Sequence, residues 1–139
     1  MRTSKTVLVV DDNPLNLEIC REILDGDYEV LTARDGPEAI RLASRHRPGV
    51  ILLDIMLPEM DGYETCRRLR NLSATRNTSI IMVSAKAMPS ERAEGLAAGA
   101  DFYLTKPFDD SELLTAIRSC QETENNESMP WRTEPSIAE

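Results

Sequence analysis

The chain has 139 residues, of which 41% are hydrophobic and only 4% aromatic, so it suffices for one domain with an aliphatic core. Its formal net charge of −8 and its pI of about 4.7 argue against nucleic acid as a direct partner. No apolar run reaches the ~20 residues that span a membrane, and the start lacks the apolar segment of a signal peptide, so we expect a cytoplasmic protein.

Predicted strands and helices alternate along most of the chain. Short apolar runs rich in Val and Ile predict strands, and helical periodicity bounded by Pro, Gly or Asp predicts helices. In chain order we predict a strand over 6–11, a helix from 14 to 26, an edge strand over 28–32, a helix from 35–37 to 48–49, a strand over 50–53, a loop over 58–62, a helix over 63–71, a strand over 80–83, a helix over 89–98, a strand over 101–104 and a helix after 107.

Two of these helices carry more specific local signals. The first begins at Pro14, a residue suited to a first helical position. On its helical period it carries Leu15, Ile19, Glu22 and Ile23. The fifth follows Pro107 and has three candidate N-cap residues, namely Asp109, Asp110 and Ser111.

Five strand–helix repeats predict an α/β fold in which a parallel sheet is wrapped by helices on both faces. The pattern stops near Glu122, so we assign residues 1–122 to one domain and 123–139 to an acidic tail or linker stub. Residues 121–139 hold five acidic residues and one basic residue, a net charge of −4, which predicts disorder. The tail contains the only tryptophan, Trp131, and a docking peptide around Pro130 and Trp131 is the alternative.

Polar residues directly follow four of the apolar strands. They are Asp11 and Asp12, Asp54, Ser84 and Lys106. Because ligands of parallel sheets bind outside the carboxyl ends of the strands, these side chains should meet in one crevice. Three crowded carboxylates supply the oxygen ligands that Mg²⁺ prefers. Asp54 can also act as a nucleophile that forms an aspartyl phosphate, with Lys106 and Ser84 contacting the phosphoryl oxygens.

On these residues the chain resembles the receiver domains of response regulators in two-component signalling. The resemblance covers about residues 5–122 and rests on Val-Asp-Asp-Asn at 10–13, Leu-Leu-Asp-Ile-Met-Leu-Pro-Glu-Met-Asp-Gly at 52–62, Ser-Ala at 84–85 and Lys-Pro-Phe at 106–108. Two further segments, residues 58–70 and 95–101, are similar to receivers of diguanylate-cyclase regulators and hybrid histidine kinases. The resemblance implies a flavodoxin-like (βα)5 fold, a doubly wound five-stranded parallel sheet in the order 2-1-3-4-5.

The resemblance also assigns a role to each acidic residue. Asp54 would be the phospho-acceptor and the catalytic nucleophile. Asp12 would bind Mg²⁺ directly, and Asp11 mainly through water. The backbone carbonyl of Met56 would complete the protein ligands, and Mn²⁺ would be able to replace Mg²⁺.

The resemblance implies a signalling switch that catalyses only its own phosphorylation and dephosphorylation. Lys106 and Ser84 would serve the phosphoryl group, Ser84 and Tyr103 would form the switch, and the Lys106–Pro107 bond would be cis. A histidine kinase or a histidine phosphotransfer protein would donate the phosphoryl group. An output domain, a downstream protein or a second copy in a phosphorylation-dependent homodimer would bind the face of helix four, strand five and helix five.

Two rival functions remain open on the residues alone. One is an aspartyl-nucleophile phosphatase or phosphotransferase, and the other is an adaptor that binds partners without being phosphorylated. Aspartyl-nucleophile phosphatases and phosphotransferases usually carry a second acid two residues after the nucleophile. This chain has Met56 at that position, and a methionine side chain cannot transfer protons. Retention of the acid pair, Asp54, Ser84 and Lys106 argues against the adaptor.

Several chemically conspicuous residues are predicted to be structural. The cysteines, far apart in sequence, should be reduced and half-buried: Cys20, Cys66 and Cys120. His46, the only histidine, should be exposed near the end of the second helix. The third helix should present a solvated basic face made of Arg67, Arg68 and Arg70.

Overall fold

The fold has the alternating order that the sequence predicts. The computed structural model describes residues 3–85 and 88–125, and the side chains of residues 5–85 and 88–120. Its elements are β1 (Thr3–Val10), α1 (Pro14–Leu24), β2 (Glu29–Ala33), α2 (Gly36–His46), β3 (Pro48–Asp54), α3 (Gly62–Arg70), β4 (Ser79–Ser84), α4 (Pro89–Ala98), β5 (Phe102–Thr105) and α5 (Asp110–Asn125). None of the helices in this part of the chain is both long enough and apolar enough to cross a membrane.

One parallel sheet contains all five strands, and its order, β2-β1-β3-β4-β5, confirms the predicted fold class. β2 lies at an edge and is buried only at its last residue, which agrees with its alternating polarity. β3 and β4 lie inside the sheet and are buried along their whole length. A continuous apolar run is what a strand covered on both faces requires.

The sheet divides the core into two clusters, because successive strand residues point to opposite faces. The cluster against α2, α3 and α4 includes, from the strands, Leu8, Val10, Ile51, Leu53, Ile80 and Met82. The cluster against α1 and α5 includes Val7, Val9, Val50, Leu52, Ile81 and Val83. The carboxyl ends of the strands therefore open between two layers of helices.

The face that α1 buries differs from the period noted in the sequence. Leu15 is 65% exposed and Ile19 is 45% exposed. The buried stripe consists of Leu17, Cys20 and Leu24, which are three and four residues apart. Both stripes are helically spaced and, apart from Glu22, apolar, so their periodicity does not distinguish them. Packing against the sheet selects the second stripe.

Several ends of elements also differ from the sequence prediction. Pro48 and Gly49, expected to end the second helix, are the first residues of β3. Asp109 caps α5, since its carboxylate accepts the Glu112 N–H at 2.8 Å and the Glu112 carboxylate accepts the Asp109 N–H at 2.9 Å. α5 runs to Asn125, so residues 123–125, which we assigned to the tail, are helical. Trp131 lies outside the described residues.

All three cysteines are free thiols, as predicted, but they are buried rather than half-buried. Their exposed fractions are 6% for Cys20, 0% for Cys66 and 1% for Cys120. Burial raises the pKa of Cys20 and of Cys66 to about 11. The thiols of Cys20 and Cys66 are therefore protonated and unreactive at neutral pH. His46 is exposed at the end of α2, as predicted.

Arg70 does not belong to a solvated basic face, which corrects the prediction for α3. Its guanidinium donates to the backbone carbonyls of Gly99, Arg76 and Thr78. It also pairs with the Asp101 carboxylate at 2.8 Å, and the same Asp101 oxygen accepts the Ile80 N–H. Arg70 therefore fastens the end of α3 to the turns that precede β4 and β5.

We expect Arg70→Ala to lower the free energy of unfolding by about 2–3 kcal/mol, because it leaves several partly buried acceptors without their donor. Arg67→Ala is the matched control on the same helix. Arg67 is 48% exposed and pairs with the exposed Glu64, so we expect a much smaller loss than for Arg70→Ala. Urea unfolding of both variants measures the difference. Equal losses would show that the bonds of Arg70 add nothing to stability.

Candidate functional site

Four strand ends bring the predicted site residues to one edge of the sheet. Asp11 directly follows β1, Asp54 ends β3, Ser84 ends β4 and Lys106 directly follows β5. The Lys106 ammonium lies 3.1 Å from an Asp54 oxygen and 3.4 Å from an Asp11 oxygen. One lysine therefore bridges two carboxylates that come from neighbouring strands.

Asp54 is held in place by the backbone around it. Its side chain is 8% exposed, and one carboxylate oxygen accepts the Met56 N–H at 3.0 Å while the other accepts Lys106. Gly62, the first residue of α3, lies directly against it, since an added Cβ would sit 2.5 Å from the Asp54 carbonyl oxygen and 2.7 Å from the Ile55 Cα. No side chain fits at position 62, which explains the glycine after Asp61.

Asp11 is equally constrained, whereas Asp12 is exposed at the mouth of the crevice. The Asp11 carboxylate accepts the Asn13 N–H at 2.9 Å and the Asn16 side-chain amide at 3.2 Å. Our sequence analysis did not identify Asn16. Its position in the first turn of α1, directly after the acid pair, is the signal that could have revealed it.

Burial and ion pairing act on these groups in opposite directions. Burial raises the pKa of Asp54 above its ordinary value, and the bonds from the Met56 N–H and from Lys106 offset only part of this effect. Burial alone would lower the pKa of Lys106, but the two carboxylates outweigh it and raise that pKa. Lys106 therefore stays charged. The ionised form of Asp54 beside it is less stable than that of an aspartate in water.

The acidic cluster has the composition of a site for a hard divalent cation. Asp11, Asp12 and Asp54 each offer a carboxylate oxygen, and these oxygens lie within 4.8 Å of one another. Mg²⁺ prefers oxygen ligands, usually one or two carboxylates together with water. The donor set therefore fits Mg²⁺, and Met56, whose N–H bonds Asp54, lies beside it.

Ser84 and Tyr103 lie on neighbouring strands behind this cluster. Ser84 is 5% exposed, pairs in register with Thr105, and its carbonyl accepts the Lys106 N–H at 2.8 Å. Tyr103 pairs in register with Met82 and is half-buried. The Lys106–Pro107 bond is cis. Ser84 and Tyr103 are therefore linked through the β4–β5 ladder to the strand end that carries Lys106.

Comparison with known proteins identifies close relatives. Residues 7–118 match the family described as the response regulator receiver domain. The chain is 42% identical over 117 residues to the response regulator PleD of Caulobacter vibrioides, and this match covers 84% of the chain and 26% of PleD. The chain therefore spans about a quarter of the length of PleD.

Solved structures share both fold and sequence with this chain. Vibrio cholerae CheY4, a chemotaxis response regulator, superposes with a TM-score of 0.80 at 36% identity, over 85% of this chain and 99% of CheY4. The receiver domain of the Pseudomonas aeruginosa sensor histidine kinase PA1611, solved with magnesium coordinated in its active site cleft, has a TM-score of 0.77 at 36% identity. That match covers 84% of this chain and 97% of that domain.

We expect Mg²⁺ to raise the melting temperature, because a ligand that binds only the folded state stabilises it by about 2.7 kcal/mol at a hundredfold excess over its dissociation constant. Asp12→Ala should remove most of this gain, since it deletes an exposed ligand without opening the core. Asp27→Ala, which deletes an exposed acid in the turn before β2, should keep it. Thermal melts with and without the metal test this expectation. An undiminished gain in Asp12→Ala would place the metal elsewhere.

Proposed function

This chain belongs to the response regulator receiver domain family of two-component signalling, and from that premise we propose that it is a phosphorylation-controlled switch with Asp54 as the phospho-acceptor. The observation that carries the proposal is the position of Asp54. It is a buried carboxylate bonded to Lys106, and one of its oxygens lies within 4.8 Å of carboxylate oxygens of Asp11 and Asp12. This combination provides a nucleophile together with charge neutralisation, which phosphoryl transfer requires.

In the proposed reaction, an Asp54 oxygen bonds to phosphorus as the bond between phosphorus and the donor's leaving atom breaks. Bound Mg²⁺, held by Asp11, Asp12, Asp54 and the Met56 carbonyl, would neutralise charge on the phosphoryl oxygens. The Lys106 ammonium, now shared between Asp54 and Asp11, moves to the phosphoryl oxygens, because the negative charge moves there. Hydrolysis returns the carboxylate.

We further propose that Ser84 and Tyr103 report the phosphorylated state. The Ser84 hydroxyl turns toward the phosphoryl oxygens, and the Tyr103 ring fills the space behind it. Support comes from the ladder that pairs Ser84 with Thr105 and Met82 with Tyr103, because a displacement of one strand end reaches the other. The affected surface comprises α4, β5 and α5, which becomes the face for an output domain, a downstream protein or a second copy.

The proposed chemistry ends with the protein's own aspartate, so we do not assign turnover of a separate substrate to this domain. The donor would be a histidine kinase or a histidine phosphotransfer protein in the cytoplasm, and Mn²⁺ would substitute for Mg²⁺. Met56, an exposed apolar residue two positions after Asp54, supports a switch over an aspartyl phosphatase, because such a phosphatase would need a proton-transferring group at that position.

A small phosphodonor and Mg²⁺ should add one phosphoryl group to the protein, as intact mass measures. Asp54→Asn should abolish the addition, because the amide is not a nucleophile. Asp27→Asn makes the same substitution at an exposed aspartate, so this variant should be phosphorylated as the wild type is. Absence of any mass gain in the wild type would favour an unphosphorylated adaptor. Sustained release of phosphate over many turnovers would favour the enzyme.

The lifetime of the phosphorylated form should depend on Met56. Its side chain is 71% exposed beside the acceptor and cannot orient the attacking water by a hydrogen bond. Met56→Asn should therefore dephosphorylate about threefold to tenfold faster, which corresponds to a barrier lower by about 0.7–1.4 kcal/mol. Lys86, two residues after Ser84, is predicted to flank the same approach and lies outside the described part of the chain.

Decay of the phosphorylated form, timed by intact mass, tests the role of Met56. Leu72→Asn is the control, since Leu72 is an exposed apolar residue in the turn after α3. It should leave the lifetime unchanged. A decay in Met56→Asn that is as slow as in the wild type would contradict the prediction.

A further inference from the structure

α4 begins without the capping bond that the other helices have. Its N-cap residue is Met88, which makes no side-chain capping bond. Polar side chains cap the other four described helices, namely Asn13, Asp35, Asp61 and Asp109. The residues that α4 buries are Gly95 and Ala98, which have little or no side chain to pack into the core. Because local opening is easiest where caps and buried apolar contacts are few, we expect α4 to open at a low free energy.

Arg92 joins α4 to β5. Its guanidinium lies over the Tyr103 ring, 5.0 Å from the ring centroid, and donates to the Thr105 hydroxyl at 3.4 Å. Tyr103 and Thr105 are two residues apart in one strand, so their side chains point to the same face of the sheet. A single side chain of α4 therefore contacts β5 at two positions.

The sequence around Arg92 leaves its guanidinium available for β5. The residues three and four positions away on the helix, where opposite charges pair, include no acid: they are Met88, Pro89, Gly95 and Leu96. A Cβ added at Gly95 would lie 3.4 Å and 3.5 Å from two carbons of the Tyr103 ring, so the glycine lets the ring approach the helix. Arg92 thus has no competing ion pair at these positions, and the ring lies close enough to contact it.

Thr105, the polar contact of Arg92, belongs to the strand end that carries Lys106. It pairs in register with Ser84 and directly precedes Lys106, whose N–H donates to the Ser84 carbonyl at 2.8 Å. The proposed function moves the Ser84 hydroxyl, the Lys106 ammonium and the Tyr103 ring when Asp54 is phosphorylated. Arg92 therefore contacts the segment of β5 that the switch would displace.

We propose that Arg92 is a positioning residue that fastens α4 to β5 in the unphosphorylated protein, an inference that rests on the proposed switch function. The contact stabilises the unphosphorylated arrangement of the α4–β5–α5 surface and is lost when the Tyr103 ring moves inward. Removal of the guanidinium therefore favours the phosphorylated arrangement. A ligand that selects that arrangement then binds more tightly, because less free energy is needed to reach it.

Native-state hydrogen exchange of the metal-free, unphosphorylated protein tests the contact itself. Arg92→Gln should raise the exchange rates of α4 amides about twofold to fivefold, the factor expected when an exposed cation–π contact is lost. Arginine and glutamine have similar helix propensities, so the helix itself changes little. Arg41→Gln makes the same substitution at an exposed arginine of α2 and should leave α4 unchanged.

A second pair of variants shows whether Arg92 acts through the ring. In a Tyr103→Leu background, which lacks the ring, Arg92→Gln should raise the α4 exchange rates by a smaller factor than in the wild-type background. An undiminished factor would overturn the proposal. Equal α4 exchange in the wild type and Arg92→Gln would overturn it as well.

Beryllofluoride with Mg²⁺, a mimic of the phosphoryl group, tests whether the contact belongs to the unphosphorylated arrangement. The beryllofluoride concentration at half-saturation, read from fluorine NMR of the bound mimic, should be about twofold to fivefold lower in Arg92→Gln and unchanged in Arg41→Gln. An equal or higher concentration in Arg92→Gln would overturn the proposal. Failure of the proposed function shows separately, as absence of a phosphoryl mass gain at Asp54. The exchange comparison still decides in that case whether Arg92 fastens α4 to β5.

Discussion

Two buried carboxylates and a single ammonium group at the carboxyl rim of the sheet form the constraint on which the rest of this structure depends. Asp11 and Asp54 are each 8% exposed, and Lys106 is their shared cation. A buried charge is tolerated only when it is paired and hydrogen-bonded, and the backbone N–H groups of Asn13 and Met56 together with the Asn16 side-chain amide supply further bonds. With exposed Asp12 added, negative charge exceeds positive charge, so the cluster favours binding of a further cation.

This charge cluster is supported by a fold that leaves little freedom around it. Gly62 lies against the backbone of Asp54, and Lys106 is bonded through its N–H to the Ser84 carbonyl. The pairing of β4 with β5 therefore forms a physical connection from the acceptor toward Tyr103. Such a connection couples the acceptor to a distant surface only if the element at its end has two arrangements. In the proposed switch, the ring of Tyr103 is that element.

The sequence was sufficient for the fold and for bringing the acids and Lys106 together, because both depend on local rules. An apolar run followed by a polar residue marks a buried strand and its exposed end, and the resemblance to receiver domains implies which of these ends are neighbours. The contacts that the sequence did not predict are tertiary. In the sequence, Arg70 has the pattern of a surface charge. In the fold, its guanidinium donates to the carbonyls of Arg76, Thr78 and Gly99. α1 carries two helically spaced stripes, and only packing against the sheet decides which one is buried.

The division of the core by the sheet gives each half of the molecule its own internal chemical reporter. Cys66 is buried with α2, α3 and α4, whereas Cys20 and Cys120 are buried with α1 and α5. A buried thiol reacts with an alkylating reagent only when its surroundings open, so its modification rate follows the local opening equilibrium. The natural cysteines therefore allow the opening of the two helical layers to be followed separately, without any introduced label.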